Sequence, residues 1–380
     1  MKSNPLKQLE TLGQSVWLDY IRRDLIASGR LQHMIQEDGL SGMTSNPSIF
    51  EKAIAESQEY DEAIGALLIR GKNPKEIYED LTMRDVQSAA YEFGSLYEKT
   101  DGKDGYVSLE VNPHLAHDTQ GTIEEARRLW TGLNCSNVLI KVPATQEGLP
   151  AIQQLIDEGI NINVTLLFGL SRYRQVAEAY ITGIEARAAR GEAVNHVASV
   201  ASFFVSRIDS MVDPMLEKIA AQESKKTDLA KETRGQAAIA CAVLAYQMFK
   251  ELFAGGRFKK LAGQGAFPQR LLWASTGTKN PDYNDVKYVE ALIGPDTINT
   301  LPLDTIDAYR DHGDPQLRLE GNVKEAKKIM AQLAELGISI DKVAQQLEDE
   351  GVEKFNKPFD KLMETLTKKS HEKPKGESRS

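Results

Sequence analysis

Lys141 stands inside the apolar, largely β-branched run Val138-Leu-Ile-Lys-Val-Pro143. A lysine flanked by Ile140 and Val142 loses hydration if its strand is buried. Desolvation lowers the pKa of an ammonium, and the neutral amine is the form that attacks a carbonyl. Read alone, the same lysine also fits a strand end from which its ammonium reaches water. Two carboxylates occupy comparable runs. Asp19 falls in Val16-Trp-Leu-Asp-Tyr-Ile21, and Glu110 falls in Tyr106-Val-Ser-Leu-Glu-Val-Asn-Pro113. Strand alternation puts Glu110 on a face with Ser108 and Asn112. Asp19 equally suits a helix cap or an ion pair with Arg22 or Arg23. One lysine with carboxyl groups on neighbouring walls is suited to imine chemistry. The amine attacks a ketone, an acid helps to expel water, and another group moves a proton as a carbon–carbon bond breaks.

These residues need elements to bring them together. Short β-rich segments near 16–21, 40–45, 106–112, 138–143, 160–168, 196–205, 270–275 and 297–301 alternate with helical patterns. The alternation predicts a parallel α/β closure, a (β/α)8 TIM barrel, whose catalytic residues lie at the C-terminal strand ends. Asp19, Asn46, Glu110, Lys141, Thr165, Ser202 and Ser275 all fall at or near such ends. Asn46, before Pro47, also reads as a turn residue bonding its own backbone. Arg207, after the sixth segment, and Ser275-Thr-Gly-Thr-Lys279, after the seventh, offer cations and backbone amides for a phosphate. Arg207 also fits an ion pair with Asp209, and Lys279 a solvated loop. The surplus over a minimal barrel lies before the third and seventh strands and after the eighth. One domain over 1–366 with helical additions is expected, followed by a disordered tail over 367–380.

Composition narrows the class. The chain has 380 residues, a net charge of −9 and 41% hydrophobic content, an ordinary globular profile. The acidic balance argues against nucleic-acid or anionic-membrane partners. Two cysteines make neither a disulfide framework nor a four-ligand zinc site, and no His/Cys/carboxylate set has metal spacing. The N-terminus has no apolar leader core, so a cytoplasmic location is expected. His33 and His196 stand alone and read as ordinary core or surface residues.

Two long segments, Gly42-Met-Thr-Ser-Asn-Pro-Ser-Ile-Phe50 and Val138-Leu-Ile-Lys-Val-Pro-Ala-Thr-Gln-Glu-Gly-Leu149, resemble the signatures of transaldolases. The resemblance spans roughly 12–305. It implies a Schiff base between Lys141 and a ketose phosphate, with Asp19 as the acid/base at the carbon–carbon bond. Glu110 and Thr165 would hold a proton-relaying water. Asn46 and Asn163 match substrate-binding positions near the lysine, while Ser202, Arg207 and Ser275 match strand-end positions of which Arg207 and Ser275 serve the phosphate. Better-known members follow that serine closely with an arginine. This chain has Lys279 nearby instead, resembling a bacterial subgroup that includes fusions with a glucose-6-phosphate isomerase, and Lys279 is the implied second phosphate cation. No isomerase part is expected within these 380 residues. The implied reaction moves a dihydroxyacetone unit from sedoheptulose 7-phosphate to glyceraldehyde 3-phosphate, giving erythrose 4-phosphate and fructose 6-phosphate in the pentose phosphate pathway. No cofactor is expected, because the imine is the electron sink. Two other readings of the same residues are an aldolase that releases free dihydroxyacetone and a non-catalytic sugar-phosphate-binding barrel.

Overall fold

The computed structural model describes residues 4–222 and 225–371. Eight strands among these residues close into a barrel in sequence order: β1 (Gln14–Asp19), β2 (Leu40–Thr44), β3 (Tyr106–Glu110), β4 (Val138–Pro143), β5 (Ile162–Leu167), β6 (Ser199–Phe204), β7 (Arg270–Ala274) and β8 (Thr297–Leu301). All neighbouring pairs are parallel, β1 with β8 included. Helices follow the strands and bury their apolar faces on the barrel, which is why the strands read as near-continuous apolar runs. The expected TIM barrel is the observed fold, with all eight strands where the alternation puts them.

The register decides which side chains become neighbours. Glu110 pairs with Lys141, and Lys141 with Asn163, so three successive strands set these residues side by side in one layer. Asp19 pairs with Thr44 on the opposite wall. Trp17 faces Gly42 across the β1–β2 ladder, and a Cβ at Gly42 would lie 2.4–2.6 Å from the indole. The glycine in the first signature segment is therefore what lets Trp17 bury completely. Gly148 does similar work in the second segment. A Cβ there would sit 2.1 Å from the Pro143 carbonyl, so only glycine permits the sharp turn from β4 into helix Gly148–Asp157.

The N-terminal end of the barrel is closed by polar bonds. Arg270 donates to Ser15 Oγ at 3.0 Å and to Asp104 Oδ1 at 3.0 Å, and Ser15 in turn donates to Asp104 Oδ2 at 2.7 Å. All three are buried. A buried charge is tolerable only when paired and hydrogen-bonded, as it is here.

The opposite end carries the additions. Helix Ile340–His371 runs over the mouth of the barrel, anchored by ion pairs Lys361–Glu51 at 2.6 Å and Arg172–Glu348 at 3.2 Å and by a hydrogen bond between His114 Nε2 and Asp360 at 2.7 Å. This helix includes Thr367 to His371, which the sequence places in a disordered tail, because Leu366 is a fully buried anchor just before them. The rest of that tail lies outside the described residues. No single described helix is long and apolar enough to cross a membrane, and the apolar helix Ala237–Phe253 is buried against the barrel.

Candidate active site

β4 ends at Pro143, and its residue Lys141 projects inward with only 4% of its surface exposed. The ammonium does not reach bulk water, so the strand-end alternative does not apply. Its Nζ donates to the Ser45 carbonyl at 2.9 Å and lies 3.4 Å from Glu110 Oε2. The Phe355 ring, from helix Ile340–His371, covers it with its centroid 5.9 Å away. Ser45 is itself tied down, donating through Oγ to the Ser108 carbonyl at 2.7 Å. The amine is thus aimed by β2 and β3 and roofed by helix Ile340–His371.

Both carboxylates face this lysine. Burial pushes the Glu110 carboxyl up to about 7; the Lys141 charge opposes that rise and Asp19 adds to it. A carboxyl near 7 is half protonated at neutral pH and can give or take a proton. Neither Glu110 oxygen nor the buried Thr165 hydroxyl has a well-aligned hydrogen-bond partner in the protein. Burial likewise raises Asp19, against the opposing influence of Lys141, the Thr44 hydrogen bond, Lys279 and Arg207. Thr44 donates to Asp19 Oδ1 at 2.8 Å and lies 2.8 Å from the Thr300 hydroxyl. Neither alternative reading of Asp19 holds: the cap position of helix Arg23–Ala27 is Arg22, and Arg22 pairs with Glu59 and Asp24 while Arg23 pairs with Asp85.

A cavity of about 170 Å³ opens above these groups, lined among others by Asp19, Asn46, Lys141, Thr165, Ser202, Arg207, Ser275 and Lys279. Eight of the ten site residues expected from sequence therefore share one cavity, and Glu110 lies directly behind Lys141. Asn163 lies below. It is fully buried, donating to Ser108 Oγ at 3.0 Å and accepting from Ser202 Oγ at 2.6 Å, so it reaches the cavity through Ser202. Asn46 does two things. Its carbonyl-side oxygen caps helix Pro47–Ala55 by accepting from the Ile49 N–H at 3.1 Å, and the residue lines the cavity.

The far wall is cationic. Arg207 stands in the first turn of helix Ser206–Ala220 with its Nη1 buried and unpartnered. Burial lowers its pKa, with Asp19 and Glu350 opposing. It does not pair with Asp209, which is engaged with Tyr288 and the Ala238 N–H. Arg207 instead packs against Phe204, its guanidinium carbon 5.5 Å from the ring centroid. Ser275, held at φ 55°, is 3.2 Å from the Ser206 hydroxyl. A left-handed backbone on a non-glycine residue costs of order 1–3 kcal/mol and persists where surroundings fix it. Here it turns the chain after β7 so that Ser275 meets the start of the Ser206 helix. An unpartnered guanidinium nitrogen, a helix N-terminus and a nearby lysine are groups suited to an anion.

Thr44, Ser45, Thr300 and Phe355 escape the sequence reading. Thr44 and Ser45 sit inside the first signature segment, so their neighbourhood to Asn46 is a usable signal. Phe355 gives none, because a buried phenylalanine at helical spacing reads as core.

The chain matches the family model described as transaldolase/fructose-6-phosphate aldolase over residues 16–366. The match runs past the barrel and takes in most of the roofing helix, further than the 12–305 expected. The chain is 49% identical to a transaldolase of Trichodesmium erythraeum, covering 97% of this chain and 98% of that protein. It is 48% identical to a transaldolase of Thiobacillus denitrificans, covering 95% and 99%, and 45% identical to transaldolase 2 of Nostoc punctiforme, covering 97% and 98%. Fold, lysine-centred site and full-length similarity agree: the chain belongs to the transaldolase/fructose-6-phosphate aldolase family.

Proposed function

We propose that this protein is a transaldolase. It moves a dihydroxyacetone unit from sedoheptulose 7-phosphate to glyceraldehyde 3-phosphate, releasing erythrose 4-phosphate and forming fructose 6-phosphate, in the cytoplasmic pentose phosphate pathway. The observation that carries the reading is Lys141, buried and 3.4 Å from Glu110 in a cavity shared with Asp19. Lys141 Nζ attacks the C2 carbonyl of the donor. Glu110, titrating near 7, exchanges protons with the carbinolamine through a water that Thr165 helps to hold, and the hydroxyl leaves as water. Asp19 then takes the proton of the C4 hydroxyl as the C3–C4 bond breaks. The bonding electrons pass into the iminium, giving an enamine, and the aldehyde departs. The acceptor aldehyde forms its new bond to C3 while Asp19 returns the proton to the nascent hydroxyl, and water hydrolyses the imine. Asn46 and Ser202 orient donor hydroxyls, with Asn163 fixing Ser202. Arg207, Ser275 and Lys279 hold the phosphate.

The test is borohydride trapping with fructose 6-phosphate, followed by mass spectrometry of the peptide that contains Lys141. A reduced adduct on Lys141, absent in Lys141→Ala, is expected. Modification of another lysine would move the nucleophile elsewhere. Comparing free dihydroxyacetone release with acceptor-dependent turnover separates transfer from simple aldol cleavage.

A further inference from the structure

Lys279 and Ser275 ride on the loop between β7 and helix Lys287–Ala291, in which Thr276 donates to Asn299 Oδ1 at 2.8 Å and Thr278 donates to the Asn284 carbonyl at 2.8 Å. Lys279 is exposed, and it lines both the Lys141 cavity and a groove on the other side formed by Asp209, Asp213, Tyr283 and Tyr288. That second side contains an unusual concentration of buried charge. Asp209 and Asp213 lie one helical turn apart on helix Ser206–Ala220, the helix that carries Arg207, and both are buried. Each carboxylate binds one tyrosine and one backbone N–H, and Asp209 Oδ2 also lies 3.5 Å from the Lys287 ammonium. Asp213 accepts from Tyr283 OH at 2.6 Å and from the Gly235 N–H at 2.8 Å. Asp209 accepts from Tyr288 OH at 2.9 Å and from the Ala238 N–H at 2.7 Å. Lys287 completes the set, donating to the Gly235 carbonyl at 2.7 Å with its Nζ 3.6 Å from the Tyr283 ring centroid.

Buried carboxylates are costly unless satisfied, and these two are satisfied by the segment that follows Lys279. Tyr283 and Tyr288 lie four and nine residues after the lysine. At the other end, the loop is fixed by the Ser275 turn against Ser206. The loop is therefore held at both ends to the helix that presents Arg207.

We propose that the Asp213–Tyr283 and Asp209–Tyr288 pairs are a clamp that positions Lys279 and Ser275 against Arg207, so that the donor's phosphate meets a preformed rather than a mobile site. This rests on the assignment of Arg207 to the phosphate. None of the four clamp residues touches substrate; they act through the loop. The clamp also explains how a lysine in a flexible-looking Thr-Gly-Thr-Lys segment can serve as a phosphate cation.

Tyr283→Phe is the suitable probe, because the ring that packs under Lys287 stays and only the hydroxyl is lost. KM for fructose 6-phosphate should rise roughly ten-fold, as expected for losing a hydrogen bond to a charged group, with kcat little changed. Trapping of unphosphorylated dihydroxyacetone on Lys141 should be unaffected. In a Lys279→Ala background the Tyr283→Phe change should raise KM by less than it does in the parent, since only Ser275 is then left for the clamp to position, and a fully additive rise would overturn the proposal. Equal losses with the phosphorylated and unphosphorylated substrates would mean a general structural role and overturn the proposal. An unchanged KM in Tyr283→Phe, with a raised KM in Arg207→Ala, would overturn the clamp and leave the phosphate assignment standing. An unchanged KM in Arg207→Ala would overturn both.

Discussion

Replacing Lys141 by methionine asks whether the lysine's charge is what holds Glu110 partly ionised. Glu110 titrates near 4.5 in an unstructured chain and near 7 when buried in the barrel. Between those values the folded state binds a proton that the unfolded state has lost. Stability therefore falls as pH rises through this window, and the full penalty is present above about 7. At about 1.4 kcal/mol for each pH unit, the penalty amounts to roughly 3 kcal/mol. Burial is the force that raises Glu110, and the Lys141 charge is the largest force opposing it. Lys141→Met keeps most of the side-chain volume and removes that opposition, so Glu110 moves further above 7. Asp19, which Lys141 also holds down, moves the same way. The penalty then keeps building above pH 7, where the parent protein is flat. Each further unit on Glu110 alone adds about 1.4 kcal/mol. Urea unfolding followed by tryptophan fluorescence reads this directly, because Trp17 and Trp273 are both fully buried in the barrel. The stability gap between variant and parent should be smallest at pH 5 to 6 and widen by at least about 1.4 kcal/mol between pH 7 and 9. Other titrating groups are common to both proteins and cancel in the difference. Parallel curves above pH 7 would show that Lys141 does not supply the charge that restrains Glu110, and the electrostatic account of the site would fail.

Asp19→Asn keeps an acceptor for Thr44 but cannot take a proton. Borohydride should still trap the Lys141 adduct while turnover falls about 10²–10⁴-fold, the usual range for a lost general base, and retained turnover would make Asp19 structural. Phe355→Ala removes the cover over Lys141, so the enamine should be protonated by solvent more often. Free dihydroxyacetone released per transfer event should rise several-fold, alongside a stability loss of about 3 kcal/mol from the emptied volume. An unchanged ratio would mean that the ring does not shield the intermediate. Gly42→Ala drives a methyl into the Trp17 indole and should lower stability by about 1–3 kcal/mol in urea unfolding; an unshifted midpoint would contradict the packing described for β1 and β2.

The barrel was legible because its strands are buried on both faces and bounded by helices, a pattern that shows as short apolar runs alternating with amphipathic stretches. The chemistry was legible because lysine and carboxylates inside apolar runs are rare. What the sequence hides follows from its shortest and most ordinary parts. Helices Pro5–Thr11, Arg30–Asp38, Gly256–Ala262 and Leu303–His312 are seven to ten residues long and give too few turns for a period to stand out. Thr44 becomes a partner of Asp19 only through the β1–β2 register, which no local pattern reveals. The family resemblance gives Asn163 to the substrate, and the register buries it between Ser108 and Ser202, next to the cavity and not on its wall. Helix Ile340–His371 is readable as a helix, but nothing local says that residue 355 lies over residue 141.

That long-range contact also sets an order of events during synthesis. Lys141 leaves the ribosome about 200 residues before Phe355. At roughly 5–20 residues per second, that interval lasts on the order of 10–40 s. For most of it the cavity is unfinished as well as unroofed, because its wall includes Ser202, Arg207, Ser275, Lys279 and Thr300. Only when the segment after β8 emerges and docks does the reactive amine acquire its apolar cover. The chamber around Lys141 is therefore completed late, by the last helix described, and a chain stopped before that helix would leave Lys141 without the Phe355 ring above it.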